Sequence, residues 1–112
     1  IYDSINHRIG NAMGRVVIGH NVWIGNRSTI SKDAVIPNYA IVGSNSFVSK
    51  QLSNEIGGGI WAGMPVSLKR EGFYRILNDE FQYNLFLRLS ESGEKFIEKD
   101  LSEEDLNSLL HL

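Results

Sequence analysis

The chain has no cysteine among its 112 residues, so neither a disulfide framework nor a thiolate metal site is available to it. It has no apolar run approaching the ~18 residues that a membrane span requires, and no signal-peptide pattern at its start. Excess positive charge is also missing. The formal net charge is -2 and the pI near 5.9, which gives no support for nonspecific nucleic-acid binding, since that needs a basic face. There are only three histidines, His7, His20 and His111, scattered along the chain, so a three-histidine zinc site is not expected, and His111 in the tail is read as a surface residue. The sequence does not open with Met and is read as a piece of a longer protein. Its size allows one domain, with room for an appended tail.

What is present is a repeat. Six hexads run in one register from Ile18 to Ser53: IGHNVW, IGNRST, ISKDAV, IPNYAI, VGSNSF and VSKQLS. The first place holds Ile18, Ile24, Ile30, Ile36, Val42 and Val48. The second is small or Pro, the third and fourth are polar or turn-tolerant, and the fifth is mostly small or aliphatic. A fixed internal period signals stacked coils. Places one and five share one face of an extended segment, and the polar pair between them suits a bend. Three hexads close a triangular coil of eighteen residues. This predicts parallel stacking of Ile18 on Ile36, of Ile24 on Val42 and then Ile60, of Ile30 on Val48, and of Ser28 on Ser46.

The sixth place points outward yet carries Trp23, Thr29, Val35, Ile41 and Phe47. A column of apolar residues on the outside of a solenoid suggests a subunit partner, and a homotrimer is expected. Residues 54–65 break the repeat with Asn54 in a core place and Gly57-Gly58-Gly59, and the register is expected to resume at Ile60. From Phe73 the pattern is helical: Phe73, Leu77, Phe81, Leu85 and Leu89 recur every four residues, with an end between Ser90 and Gly93. Ser102-Glu103-Glu104-Asp105 has the form of a capping box before Leu106, Leu109 and Leu110. The expected organisation is residues 1–72 as an all-β solenoid and residues 73–112 as a helical C-terminal extension, read as a cap over the open coil.

Three ordered stretches resemble the hexapeptide-repeat acyltransferases. Ile18-Gly19-His20-Asn21-Val22-Trp23-Ile24-Gly25 is similar to the family's I-G-x-x-V-W-I-G. Val42 to Lys50 is similar to its V-I-G-A-G-S-V-V-T-K, and Ala62-Gly63-Met64-Pro65 with Lys69-Arg70 to its A-G-N-P-A-K-V-I-R. The chain departs from that pattern at Gln51, Met64 and Val66. The resemblance implies a left-handed parallel β-helix that works as a trimer. It further implies direct transfer of an acetyl group from acetyl-CoA, with a histidine general base and no metal. Ile1-Tyr2-Asp3 resembles the stretch that follows the catalytic histidine in enzymes acting on sugars of capsules or surface polysaccharides. The implied activity is therefore O-acetylation of a sugar or polysaccharide hydroxyl in the cytoplasm.

By the same resemblance, Asn26, Ser44, Ser49, Lys50, Gly63 and Arg70 are candidates to contact CoA, with Lys50 and Arg70 facing its phosphates. The base is expected upstream of Ile1, with His7 as the candidate within the chain. Two other readings stay open: a non-catalytic β-helix trimerisation scaffold, and N-acetylation of serine or an amino sugar on the same scaffold.

Overall fold

The computed structural model describes residues 1–55 and 57–110. Ile56, His111 and Leu112 lie outside the described residues, and with them the expectation that His111 is a surface residue. The chain forms two compact units, Ile1–Tyr74 and Arg75–Leu112.

The first unit opens with an antiparallel hairpin of β1 (Tyr2–Asp3) and β2 (Arg8–Ile9), in which Tyr2 faces Ile9 and Asp3 faces Arg8. Six two-residue strands follow: β3 (Val17–Ile18), β4 (Trp23–Ile24), β5 (Thr29–Ile30), β6 (Val35–Ile36), β7 (Ile41–Val42) and β8 (Phe47–Val48). Each joins the outward sixth place of one hexad to the inward first place of the next. Pairing is parallel and offset by eighteen residues: Ile18 on Ile36, Ile24 on Val42, and Ile30 on Val48. Backbone bonds lock each face: Gly19, Gly25 and Ser31 donate to the carbonyls of Ile36, Val42 and Val48 at 2.8, 2.7 and 2.8 Å, and Val17, Trp23 and Thr29 to those of Ala34, Ala40 and Ser46 at 3.0, 2.9 and 2.8 Å.

The corners have one backbone solution. Asn21, Arg27, Asp33, Tyr39 and Asn45, the fourth residue of five successive hexads, all have positive φ, between 54° and 70°. Asn and Asp adopt this region readily. Arg27 and Tyr39 do so at a cost of roughly 1–2 kcal/mol each, which the surrounding packing must offset. At two second places only glycine fits. A Cβ on Gly19 or Gly25 would run into the backbone of Asn38 or Ser44 on the coil above.

The core is the column of inward residues. Ile36, Val42 and Val48 are almost fully buried, as are Ala34, Ala40 and Ser46 at the fifth place. Burying each large aliphatic contributes on the order of 1.5–3 kcal/mol. Ile18 holds the same place as Ile36 but is 49% exposed, against 1%. The difference is that Ile36 has a coil on both sides. Of the outward column, Trp23 and Thr29 are exposed, whereas Val35, Ile41 and Phe47 are half-buried.

The third coil departs from the expected register. Ile60 does not stack on Val42. Trp61 does, and Ile60 pairs with the outward Ile41. Leu52 does not take a fifth place either. Val35 pairs with Gln51, and the Leu52 amide donates to the Val35 carbonyl, so Leu52 sits over Ile36. Val66 takes the place above Val48, its amide donating to Phe47. All three replacements are buried. The physical cause is compensating length changes. From Val48 to Leu52 the chain is two residues shorter than a hexad. From Leu52 to Trp61 it is three longer, and from Trp61 to Val66 one shorter. The circumference is unchanged. The surplus is taken up by Asn54 to Gly59, where the Asn54 side-chain amide donates to the Gly58 carbonyl and Tyr74 lies against Gly57 and Gly58. β9 (Ile60–Ala62) then turns back as β10 (Ser67–Arg70), an antiparallel pair that closes the four-stranded sheet β10-β9-β7-β4.

The second unit holds α1 (Asp79–Ser92) and α2 (Glu103–Leu110). The first helix begins at Asn78, not at Phe73. The Asn78 side chain accepts from the Phe81 amide at 2.9 Å, and Asp79 and Glu80 occupy the first turn, where the helix dipole favours anions. Phe73 instead gives its carbonyl to the Gly59 amide at 2.8 Å, next to Gly72 at positive φ. Gly93 ends α1 in the left-handed conformation, donating to Leu89. Ser102 caps α2 by accepting from the Asp105 amide at 3.2 Å. Among the described residues, no helix is long and apolar enough to cross a membrane.

Candidate functional site

Three of the six candidate cofactor residues meet on one corner of the coil. Asn26 and Ser44 are third-place residues eighteen apart, following the stacked strands β4 and β7. The Asn45 amide donates to the Asn26 carbonyl at 3.0 Å, and Ser44 lies against Gly25. Gly63 follows β9, the next strand of the same sheet. Its carbonyl accepts from the Phe47 amide at 3.0 Å, and its amide donates to the Ser46 hydroxyl at 3.3 Å. Ser46 Oγ in turn donates to the Gly43 carbonyl at 2.6 Å. Below it, Ser28 Oγ donates to the same carbonyl at 3.0 Å and accepts from the Ser46 amide at 3.3 Å.

The result is a corner whose inner side is tied by two stacked serines and whose outer side carries Asn26, Ser44 and Gly63. With φ at 107°, Gly63 holds a conformation that a side chain rarely adopts, so its lack of a Cβ follows from the backbone. The same corner presents small groups and backbone in a line along the coil axis. An extended amide-bearing ligand could lie there close to the main chain.

The other three candidates are elsewhere. Ser49 and Lys50 follow β8, one corner further round, where the coil is two residues short. Lys50 is exposed, and its carbonyl accepts from the Val35 amide at 3.2 Å. Lys50 also borders a cleft lined by Gln51, Leu52, Trp61 and Leu68. Arg70 ends β10 opposite Ile60; it is exposed, and its guanidinium donates to the Lys69 carbonyl at 3.1 Å. The cations expected from the sequence to face the phosphates thus lie in the third coil, Lys50 after β8 and Arg70 beside the start of β9, the strand that Gly63 follows. Sequence reasoning missed the roles of Ser28 and Ser46. Their eighteen-residue spacing was legible, but their hydroxyl bonds to Gly43 and Gly63 depend on the coil being closed.

His7 stands in the β1–β2 turn at φ 53°, exposed, with Nδ1 3.4 Å from the Tyr2 hydroxyl. The turn is organised by Asp3, whose carboxylate accepts from the Asn6 side chain at 2.9 Å, from Arg8 Nε at 2.9 Å, and from the amides of Ile5 and Asn6. These bonds, those from Asn6 foremost, hold the Asp3 carboxyl below the usual carboxylate range. His20 lies at the first corner of the coil, its amide donating to Asn38 Oδ1 at 2.7 Å, which is a structural role for its backbone.

Residues 15–50 match the family described as bacterial transferase hexapeptide (six repeats). The match falls on the hexad repeat to which the motifs pointed. A comparison with curated proteins finds no match. Among solved structures, the chain is similar to the polySia-specific acetyltransferase NeuO, with TM-score 0.60 and 20% identity over 78% of this chain and 44% of that one. That likeness is one of fold. It is also similar to a maltose O-acetyltransferase from Clostridium difficile 630 (TM-score 0.47, 28% identity, 52% of this chain and 29% of that one). A hexapeptide transferase family protein from Anaplasma phagocytophilum gives TM-score 0.45 and 22% identity, over 70% of this chain and 42% of that one. The chain spans less than half the length of each of these structures.

Proposed function

We propose that this chain is the donor-binding part of an acetyl-CoA-dependent O-acetyltransferase acting on a sugar or polysaccharide hydroxyl, built as a left-handed parallel β-helix, working as a homotrimer in the cytoplasm. The observation that carries the reading is the Asn26–Ser44–Gly63 corner on a repeat of the bacterial transferase type. The pantetheine arm would lie along this corner, its amides meeting backbone and small polar side chains. Lys50 and Arg70 would reach the phosphates only if the ligand bends round the third coil. The trimer rests on the outward column Trp23, Ile41 and Phe47.

In the proposed reaction a histidine nitrogen takes the acceptor hydroxyl proton as its oxygen attacks the thioester carbonyl. The C–S bond then breaks, and the CoA sulfur takes the proton back from the imidazolium. His7 is the in-chain candidate for this base. Its exposure on the β1–β2 turn suits contact with an incoming acceptor. Fluorescent detection of released CoA thiol, with acetyl-CoA and a panel of sugars, tests the activity, and His7→Ala tests the base. Activity that survives this change puts the base outside residue 7. Calorimetric binding of CoA without turnover of any acceptor, or no binding at all, favours the scaffold reading.

A further inference from the structure

We propose that the helical unit carries a second ligand site, an apolar cleft that takes a medium-chain carboxylate with its head at Arg88 and Lys99. The cleft has a volume of about 320 Å³ and opens between α1, α2 and the segment joining them. Its apolar lining is Ile76, Phe81, Leu85, Ile97, Leu101, Leu109 and Leu110, and Asn84 lines it as well. At about 30 Å³ per water-sized group, it accommodates a chain of about ten such groups, within the size range of small-molecule pockets.

The charge distribution selects the head group. Residues 75–110 carry nine acidic and four basic side chains, so this unit is acidic. Yet the two charged residues that line the cleft are both cations. Neither Arg88 nor Lys99 makes a salt bridge among the described residues, where the ion pair found is Arg8–Asp3. The Lys99 ammonium sits 5.6 Å from the centroid of the Phe81 ring, which itself forms a wall. Two cations at an apolar cleft, in a unit with carboxylates to spare for pairing, suit an anion attached to an aliphatic tail. The tail removes apolar surface from water, and Arg88 can hold a carboxylate through two parallel N–H donors. A cationic amphiphile of the same length would meet repulsion there, and a neutral alcohol would lack the charge-assisted bonds.

The site does not depend on the proposed acetyl transfer and shares no residue with the Asn26–Ser44–Gly63 corner. The test is a titration of the full chain with decanoate below its micelle concentration, followed by calorimetry and by two-dimensional NMR. The expected result is saturable binding with shifts concentrated at Leu85, Leu101 and Leu109. Decanol and decylammonium should each bind about tenfold or more weakly. Arg88→Ala combined with Lys99→Ala should reduce decanoate affinity about tenfold or more while decanol binding stays unchanged, which separates loss of the head-group contacts from loss of the cleft. Both positions are exposed, so the variant keeps its fold, and unchanged NMR positions elsewhere confirm this. The proposal is overturned by no saturable binding, by shifts located outside the helical unit, by equal affinity for the three amphiphiles, or by decanoate affinity that the double variant leaves intact.

Discussion

The second and third coils have the same circumference and fill the same three core columns, yet only one of them obeys the hexad. In the second, Ile36, Val42 and Val48 follow one another at six-residue steps. In the third, Leu52, Trp61 and Val66 stand above those residues at steps of four, nine and five. What the molecule conserves is the inward column and the total length between Val48 and Val66. The local period is one way of meeting that constraint. A shortened corner at Ser49-Lys50 and a glycine loop at Asn54–Gly59 are another. The loop is usable because Gly58 and Gly59 hold positive φ values of 71° and 141°, and because Phe73 and Tyr74 pack over it.

The largest test of this comparison strikes the regular coil. Val42→Asp places an unpaired carboxylate between Ile24 below and Trp61 above, with no polar partner in the column. The expected loss is above about 4 kcal/mol, enough to abolish the cooperative thermal transition of the coil. A variant that melts like the wild type would remove the stacked-column description altogether.

The irregular coil is tested by two adjacent residues. If Trp61 is the core residue over Val42, Trp61→Ala should cost about 3–5 kcal/mol. Ile60→Ala should cost well under half of that, because Ile60 is only half-buried beside Ile41. Denaturant unfolding of both variants gives the ratio, and the reverse ranking would restore the uninterrupted hexad with Ile60 inside.

This pair also marks where the sequence stopped being legible. Positions 18 to 48 could be placed residue by residue because each corner is closed locally, by a polar third residue and a left-handed fourth. The one-residue offset at Trp61 has no local signature. It comes from three length changes that cancel only when the coil closes, and an even six-residue count naturally selects Ile60. The same limitation affected the helix start. Phe73 has the right spacing to Leu77 and Phe81, but its carbonyl is already bonded to Gly59, and Asn78 is the residue with a free cap to offer. At the site, eighteen-residue arithmetic brings Asn26 to Ser44 correctly. It could not show that Gly63 joins them while Lys50 and Arg70 do not, because all three lie in or beyond the irregular coil.

A smaller effect is expected at Gly58. Its φ of 71° is left-handed, and a Cβ there would lie 2.7 Å from the Phe73 carbonyl oxygen and 2.8 Å from the Tyr74 ring. Gly58→Ala should therefore destabilise by about 1–3 kcal/mol, detected as a lowered denaturation midpoint. The second coil bends through non-glycine residues at Asp33, Tyr39 and Asn45 and has no equivalent dependence. An Asn45→Gly change there should be neutral within about 1 kcal/mol. Equal costs at the two positions would show that the glycine loop is no more constrained than an ordinary corner.

The smallest expected effect lies outside both coils and asks whether they share the hairpin's response to acid. Among the described residues the coil core contains one buried polar residue, Ser46, whose hydroxyl does not titrate in this range. The β1–β2 turn, by contrast, is built on the Asp3 carboxylate and its bonds from Asn6, Arg8 and Ile5. Those bonds favour the charged form, so the carboxyl titrates lower in the folded hairpin than in the unfolded chain. The sign follows directly. The stabilisation is complete above the unfolded value, and it is lost as pH falls through the lower, folded value. Amide resonances of Ile5 and Asn6 should therefore move with a midpoint below the usual carboxylate range, while those of Val42 and Val48 stay in place. Asp3→Asn should abolish that titration and leave the main thermal transition where it was. If the Val42 and Val48 resonances moved together with those of Asn6, the hairpin and the coil would be one cooperative unit in acid, and the distinction between them would fail.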